Sequence, residues 1–167
     1  MGYVHDVHMS QLIPTTAWHA VTGTYTWTAG QVAGTISKHL AAAAITTVVN
    51  IPIMLPSNSA GLKGSKLASV EVDYEITSAQ ATSVTASMNK VTRGADTAVA
   101  VVTDVPVTQD LAAGVAAAII DQHKLTVTVT TPAFIDNDEY YLLVLTVVTN
   151  SAVIDFLGAV ANFTLRM

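Results

Sequence analysis

The chain opens MGYVHDVHMSQLIP, and His5-Asp6-Val7-His8 is its densest run of potential metal ligands. Zinc and iron sites are built from imidazole and carboxylate, and a cupin-type jelly roll presents such ligands from facing strands. That chemistry asks for a His-x-His pair on one strand, then a Glu, then a further His on a later strand. Here the two histidines stand three apart, so on a regular strand they point to opposite faces and cannot close on one ion. His19, His39 and His123 follow no ligand spacing. The plainer expectation is an N-terminal arm that stays solvated or lies on a neighbouring subunit.

Other acids invite the same scrutiny. Asp136-Asn137-Asp138-Glu139 could offer oxygens to calcium, but it lacks the alternating acids and central Gly of an EF-hand loop. Following Pro132, it reads as a turn in which Asp and Asn cap their own backbone. Glu71, Asp73 and Glu75 sit two apart on one strand face, a spacing that paired hydrolytic carboxylates could use. A glycosidase cleft also needs aromatic sugar platforms, and aromatics are only 6% of the chain. A solvated face whose charges deter stray edge pairing accounts for the same residues. Cysteine is absent, and no G-x-S-x-G elbow, P-loop or dinucleotide glycine fingerprint occurs. Tyr3, Trp18, Tyr25 and Trp27 could stack on a sugar, although buried or interface aromatics are commoner.

The elements that must carry these residues are strands. Val70–Ile76 alternates apolar residues with three acids, Lys124–Thr130 alternates Leu and Val with Thr, and Thr24–Thr28 does so with two aromatics. The chain alternates to its last residue through Ala161–Met167, which predicts a terminus tied into a sheet. Folding 67–76 back on 82–91 about Ala79 sets Tyr74, Val72 and Val70 opposite Val84, Ala86 and Met88. A second fold-back about Ile135 pairs Val129, Val127 and Leu125 with Tyr141, Leu143 and Leu145. The other row of that segment, Tyr140, Leu142 and Val144, is too apolar for open water and predicts a cover of some kind. Gln109–Gln122 is alanine-rich but lacks a polar face, so it predicts at most a short helix within a long loop.

Composition narrows the function. Charged residues are 11% of the 167, against about 25% in an average domain, and hydrophobic residues are 51%. Either Thr, Ser, Asn and Gln solvate the surface or much of it is buried against other subunits. A net charge of −5 with scattered cations argues against a nucleic-acid surface. No apolar run approaches the roughly 20 residues of a membrane helix, and His5, Asp6 and His8 interrupt any signal-like stretch.

Two segments resemble small structural proteins encoded by tailed bacteriophages and related metagenomic phage genomes. They are GLKGSKLASVEVDYEITSAQATSVTASMNKV, residues 61–91, and HKLTVTVTTPAFIDNDEYYLLVLTVVTNSAVIDFLGAVANFTLRM, residues 123–167. Together they cover under half of the chain and include no catalytic motif, so no functional residue is carried over. The resemblance implies a virion component: a capsid jelly roll, a decoration protein or a tail protein.

The expectation is thus an all-β, single-domain antiparallel β-sandwich of jelly-roll type over 17–167, with an extended N-terminal arm over 1–16. Its work is self-assembly in a phage or virus-like particle, with other copies and other virion proteins as partners, no cofactor, and no nucleic acid or membrane. The interface candidates are Tyr3, Val4, His5, His8, Leu12 and Ile13 in the arm and Leu111, Val115, Ile119 and Ile120 in the Ala-rich loop. Tyr140, Leu142 and Val144 on the outward row complete the set. A lectin-like or receptor-binding jelly roll using Trp18, Tyr25 or Trp27 is the alternative, and a cupin-type metalloenzyme around His5 and His8 ranks below it.

Overall fold

The computed structural model describes residues 5–29, 36–59, 62–94 and 99–166. Period-two alternation dominates the sequence, and strands dominate the fold. They are β1 (Asp6–Ile13), β2 (His19–Thr22), β3 (Thr26–Ala29), β4 (Ile36–Leu40), β5 (Ile45–Ile53), β6 (Asn58–Ser59) and β7 (Leu62–Lys63). There follow β8 (Ser65–Thr77), β9 (Ser83–Thr92), β10 (Val101–Val105), β11 (Val107–Gln109), β12 (Asp121–Val129), β13 (Glu139–Thr149) and β14 (Val153–Arg166). One four-residue helix, α1 (Val115–Ala118), lies within the Ala-rich loop.

Two antiparallel sheets form a sandwich. The first runs β11-β12-β8-β14-β4-β3 with β1 also on β14; the second runs β10-β9-β13-β5-β2. Leaving aside β1 and the short strands β2, β3, β6, β7 and β11, the principal strands are β4, β5, β8, β9, β10, β12, β13 and β14. In chain order the first, eighth, third and sixth form one sheet and the second, seventh, fourth and fifth the other. That is the double Greek key of a jelly roll, as expected.

The alternation also marks the inward residues correctly. Val70, Val72, Tyr74, Ile76, Leu125, Val127 and Phe156 from the first sheet meet Ile51, Val84, Met88, Leu143 and Leu145 from the second. Each such aliphatic side chain contributes about 1.5–3 kcal/mol on full burial.

Both expected hairpins are corrected. β8 and β9 lie in different sheets, as do β12 and β13. The true neighbours of Val72 and Val70 are Leu125 and Val127, and Met88 lies beside Leu143. Facing residues point inward whether their strands are neighbours in one sheet or stand opposed across the roughly 10 Å between two sheets. Inward–inward matching therefore could not separate a hairpin from an arch. Ser78, held at φ 69°, turns the chain out of β8 and toward the other sheet.

The detached arm is corrected from Asp6 onward. β1 pairs with β14 of its own chain without a break, from Asp6 opposite Arg166 to Ile13 opposite Ala159. It ends where Pro14 removes the next backbone donor, and a 3-10 turn at Thr15–Ala17 leads into the core residue Trp18. β14 holds β4 at Ile154–Phe156 and β1 from Ala159 on, and the register shift around Leu157 separates the two partners.

The Ala-rich loop closes one end of the sandwich. The Tyr74 hydroxyl donates to the Ala117 carbonyl at 2.6 Å, while the amides of Ala81 and Val84 donate to the carbonyls of Ala118 and Ala113. Ala117 and Ala118 are fully buried. Tyr74→Phe leaves a buried carbonyl without its donor and should cost about 1 kcal/mol. Hydrogen exchange should then accelerate at Ala81 and Val84 more than at Leu143; equal effects at all three would contradict this role for the loop.

Candidate functional site

The two outer faces of the sandwich differ in kind. On the first sheet, Asp6, His8 and Ser10 of β1 stand beside Arg166, Thr164 and Asn162 of β14. Arg166 donates to both Asp6 oxygens at 2.8 and 3.0 Å, and its hydrogen bond holds the Asp6 carboxyl below the usual range. Thr164 Oγ1 lies 3.2 Å from His8 Nδ1, and Ser10 donates to Asn162 at 2.7 Å. Asn162 donates on to Glu71 at 3.0 Å, and Lys124 reaches the same carboxylate at 3.1 Å. That hydrogen bond and the charges of Glu71 and Asp73 raise the Lys124 ammonium. Asp73 and Glu75 continue the row, so the acid stripe lies on a charged, cross-linked outer face.

The central strands of the second sheet carry no such groups on their outer face; only the edge strands do, Asp104 of β10 beside Asn89 and His19 of β2 beside Asn50. Alternation places Tyr140, Leu142, Val144, Thr146 and Val148 of β13 outward. Their neighbours are Pro52, Asn50, Val48 and Thr46 of β5 and Val91, Asn89, Ser87, Thr85 and Ser83 of β9. Not one is charged. Tyr140, Leu142 and Val144 remain partly open to solvent, an unusual state for a large aliphatic row at the centre of a sheet.

The interface candidates fall in three separate places. Tyr3 and Val4 lie outside the described residues. His5 and His8 are exposed, Leu12 is 69% exposed, and Ile13 is a core residue. Ile13 is corrected as an interface candidate: it shares an inward face with Ala159 and cannot reach a neighbour. In the loop Val115, Ile119 and Ile120 are exposed, whereas Leu111 packs against the core. The loop end of the sandwich is where β8 gives way to β9, and Tyr140 stands at the opposite end of β13. Tyr140, Leu142 and Val144 form one outward row on β13. Sequence reasoning missed their β5 neighbours, because in Ile45–Ile53 the polar residues Thr46, Thr47 and Asn50 fall on both faces and mark no outward row.

The aromatic platform does not assemble. Trp18 is buried against Phe156 with ring centres 5.4 Å apart. Tyr25 lies 6.0 Å from the same ring and shares a 2.6 Å hydrogen bond with Thr47; burial pushes its phenol up to about 12. Only Trp27 of the three is widely exposed. Among the described residues, no three His, Asp or Glu side chains gather at metal-binding distance.

The acidic turn is a closed structural unit. The Glu139 amide donates to the Asp136 carbonyl, and the Asp136 amide donates to Glu139 Oε2 at 3.0 Å. Lys90 pairs with the same carboxylate, and the Arg93 amide and guanidinium donate to the carbonyls of Asp138 and Asn137. A cavity of about 280 Å³ beside it is lined by Met54, Leu55, Ser57, Arg93 and Tyr140. The hydrogen bonds already made by Arg93 and Glu139 tie both into the turn.

No protein-family model and no curated protein matches the chain. Among solved structures it is similar to one of Clostridium thermocellum endo-1,4-beta-D-xylanase 10B, comprising CBM22-1 and GH10 modules complexed with xylohexaose. Identity is 12%, 93% of this chain and 28% of that chain are covered, and the TM-score is 0.43. A likeness of that strength carries no argument about what this chain binds.

Burial pushes the Glu139 carboxyl up, but the Lys90 hydrogen bond, the Asp136 amide, the Lys90 charge and Thr92 outweigh it. Its folded value therefore lies below the ordinary one. The stability it contributes is present above the ordinary carboxylate range and lost as pH falls through the lower folded value. Glu139→Gln should lower stability at neutral pH by about 1 kcal/mol, allowing for solvent screening, and flatten the acid limb of stability against pH. Urea unfolding across that range is the check, and an unchanged acid limb would contradict this reading.

Proposed function

We propose that this chain is a non-enzymatic structural protein, a self-assembling β-sandwich subunit of a phage or virus-like particle, as a capsid or capsid-decoration protein. The observation that carries the reading is the partly apolar outer face of the second sheet, which is free of charge along its central strands β9, β13 and β5. Burying a neutral face avoids the desolvation penalty that charged groups impose on an interface. A face of Val, Leu, Tyr and Thr left in water has no such compensation. The first sheet, with its ion pairs and acids, supplies the solvated exterior that an assembled subunit still needs.

Two further considerations support the assignment to a virion. Residues 61–91 and 123–167 resemble phage structural proteins, and jelly rolls are widely used in viral shells. The fold by itself is shared with lectins and cupins and is only an analogy. The sugar-binding alternative loses its platform, since Trp18 and Tyr25 face the core.

The purified protein should sediment as an oligomer whose mass rises with concentration. Leu142→Lys places a charge at the centre of this face, where burial costs about 3 kcal/mol or more, over a hundredfold in affinity. The variant should keep its strand circular dichroism and lose mass in sedimentation equilibrium. A wild-type monomer at every concentration, or a variant of undiminished mass, would count against assembly through this face.

A further inference from the structure

A sheet ends in a row of unpaired backbone groups, and natural proteins blunt such edges with short strands, bulges, prolines or inward charges. Four edges of this sandwich follow that rule. β11 has three residues and follows Pro106, while β10 has five, carries Asp104 and ends at the same proline. β3 has four residues, and β2 has four with a register shift between Ala20 and Thr22. β1 does not follow it. It has eight residues in unbroken register with β14, contains no Lys, Arg or Pro, and among the described residues has no strand on its other side. Its one acid, Asp6, is already held by Arg166.

The surface beside this edge is apolar. Val7, Met9, Gln11 and Ile13 share the inward face with Leu165, Phe163, Ala161 and Ala159. Yet Val7 is 37% and Met9 43% exposed, because the facing sheet stops short. β2 reaches β5 only at Val48–Asn50, which among the described residues leaves Ile51–Ile53 as a second free edge across the gap. Between the two edges lies a groove of about 480 Å³ lined by Met9, Gln11, Met54, Leu55 and Phe163, with Met54 67% exposed.

We propose that β1 pairs antiparallel with β1 of a second copy about a two-fold axis, joining the two first sheets into one continuous sheet. This surface is separate from the neutral outer face and does not depend on it. Three features select a second copy as the occupant. β1 carries one acid, Asp6, which Arg166 already holds, so the strand meets its own image without like charges in contact and has no free acid or cation to read a charged peptide. The groove and the apolar row that fills it are both carried by this chain, so one two-fold axis satisfies both copies, as an isologous contact requires. Parity also fits. A two-fold antiparallel pair must set inward residues opposite inward residues, so paired positions sum to an even number. Placing Met9 on the axis meets that condition and keeps Asp6–Leu12 paired throughout. Val7 then lies opposite Gln11 of the partner subunit, and the two Met9 side chains meet over the groove.

The full chain carrying Leu142→Lys provides a background in which the neutral face is disabled, so failure there and failure here are distinguishable. In that background sedimentation velocity should find a dimer. Adding Met9→Lys, an inward edge charge, should raise its dissociation constant by at least about tenfold with circular dichroism unchanged. The chain has no cysteine, so Met9→Cys introduces a single thiol. On the axis the two Cβ atoms are about 5 Å apart, and mild oxidation should give a covalent dimer. Gln11→Cys should give none, since its copies lie about 13 Å apart along the strands. A monomer in the Leu142→Lys background, a dimer indifferent to Met9→Lys, or cross-linking through position 11 rather than 9 would each overturn the proposal.

Discussion

Scarcity of charge governs this molecule. Only 11% of its residues are charged, and a sandwich has two outer faces to expose. The first sheet takes most of the strand-borne charge: Asp6, Lys66, Glu71, Asp73, Glu75, Lys124 and Arg166 project from its outer side. The central strands of the second sheet have none to show outward, because β13 alternates Leu, Val and Tyr with Leu, Val and Tyr. A strand apolar on both faces is ordinary when both faces are covered. Here the core covers one, and among the described residues no strand covers the other.

The same economy explains the polar ladder on the first sheet. Asp6 with Arg166, Ser10 with Asn162, Asn162 with Glu71, and Glu71 with Lys124 form a chain of contacts from β1 to β12. Exposed pairs of this kind add little stability singly. Their effect is placement: few charges serve to solvate one face, and they fix β1 to β14 in one register. The N-terminal segment is thereby built into the sandwich instead of trailing from it.

What was legible in the sequence follows from what alternation encodes. It reports which side of a strand is buried, and the inward residues of β8, β9, β12 and β13 were all readable from it. Which strand lies beside which is not encoded there, so two arches were read as hairpins. β1 was unreadable for another reason. Its row Val7, Met9, Gln11, Ile13 is only partly buried, and its partner lies at the far end of the chain, where no local pattern points. Ile13 was assigned to an interface because a mixed segment at a terminus resembles an arm. The outward row Tyr140, Leu142 and Val144 was legible because alternation failed there: the face that should be polar was not. Its continuation onto Val48 and Pro52 needed the pairing of β13 with β5.

The central claim is that the neutral face of the second sheet is a contact surface between copies. Hydroxyl-radical footprinting across a concentration series reads that face directly. Oxidation of Tyr140 and Leu142 should fall as concentration rises, while Phe134, beside Lys66 and Arg166, keeps its dilute-solution rate. Constant labelling of Tyr140 and Leu142 at all concentrations, or protection confined to Phe134, would contradict the account.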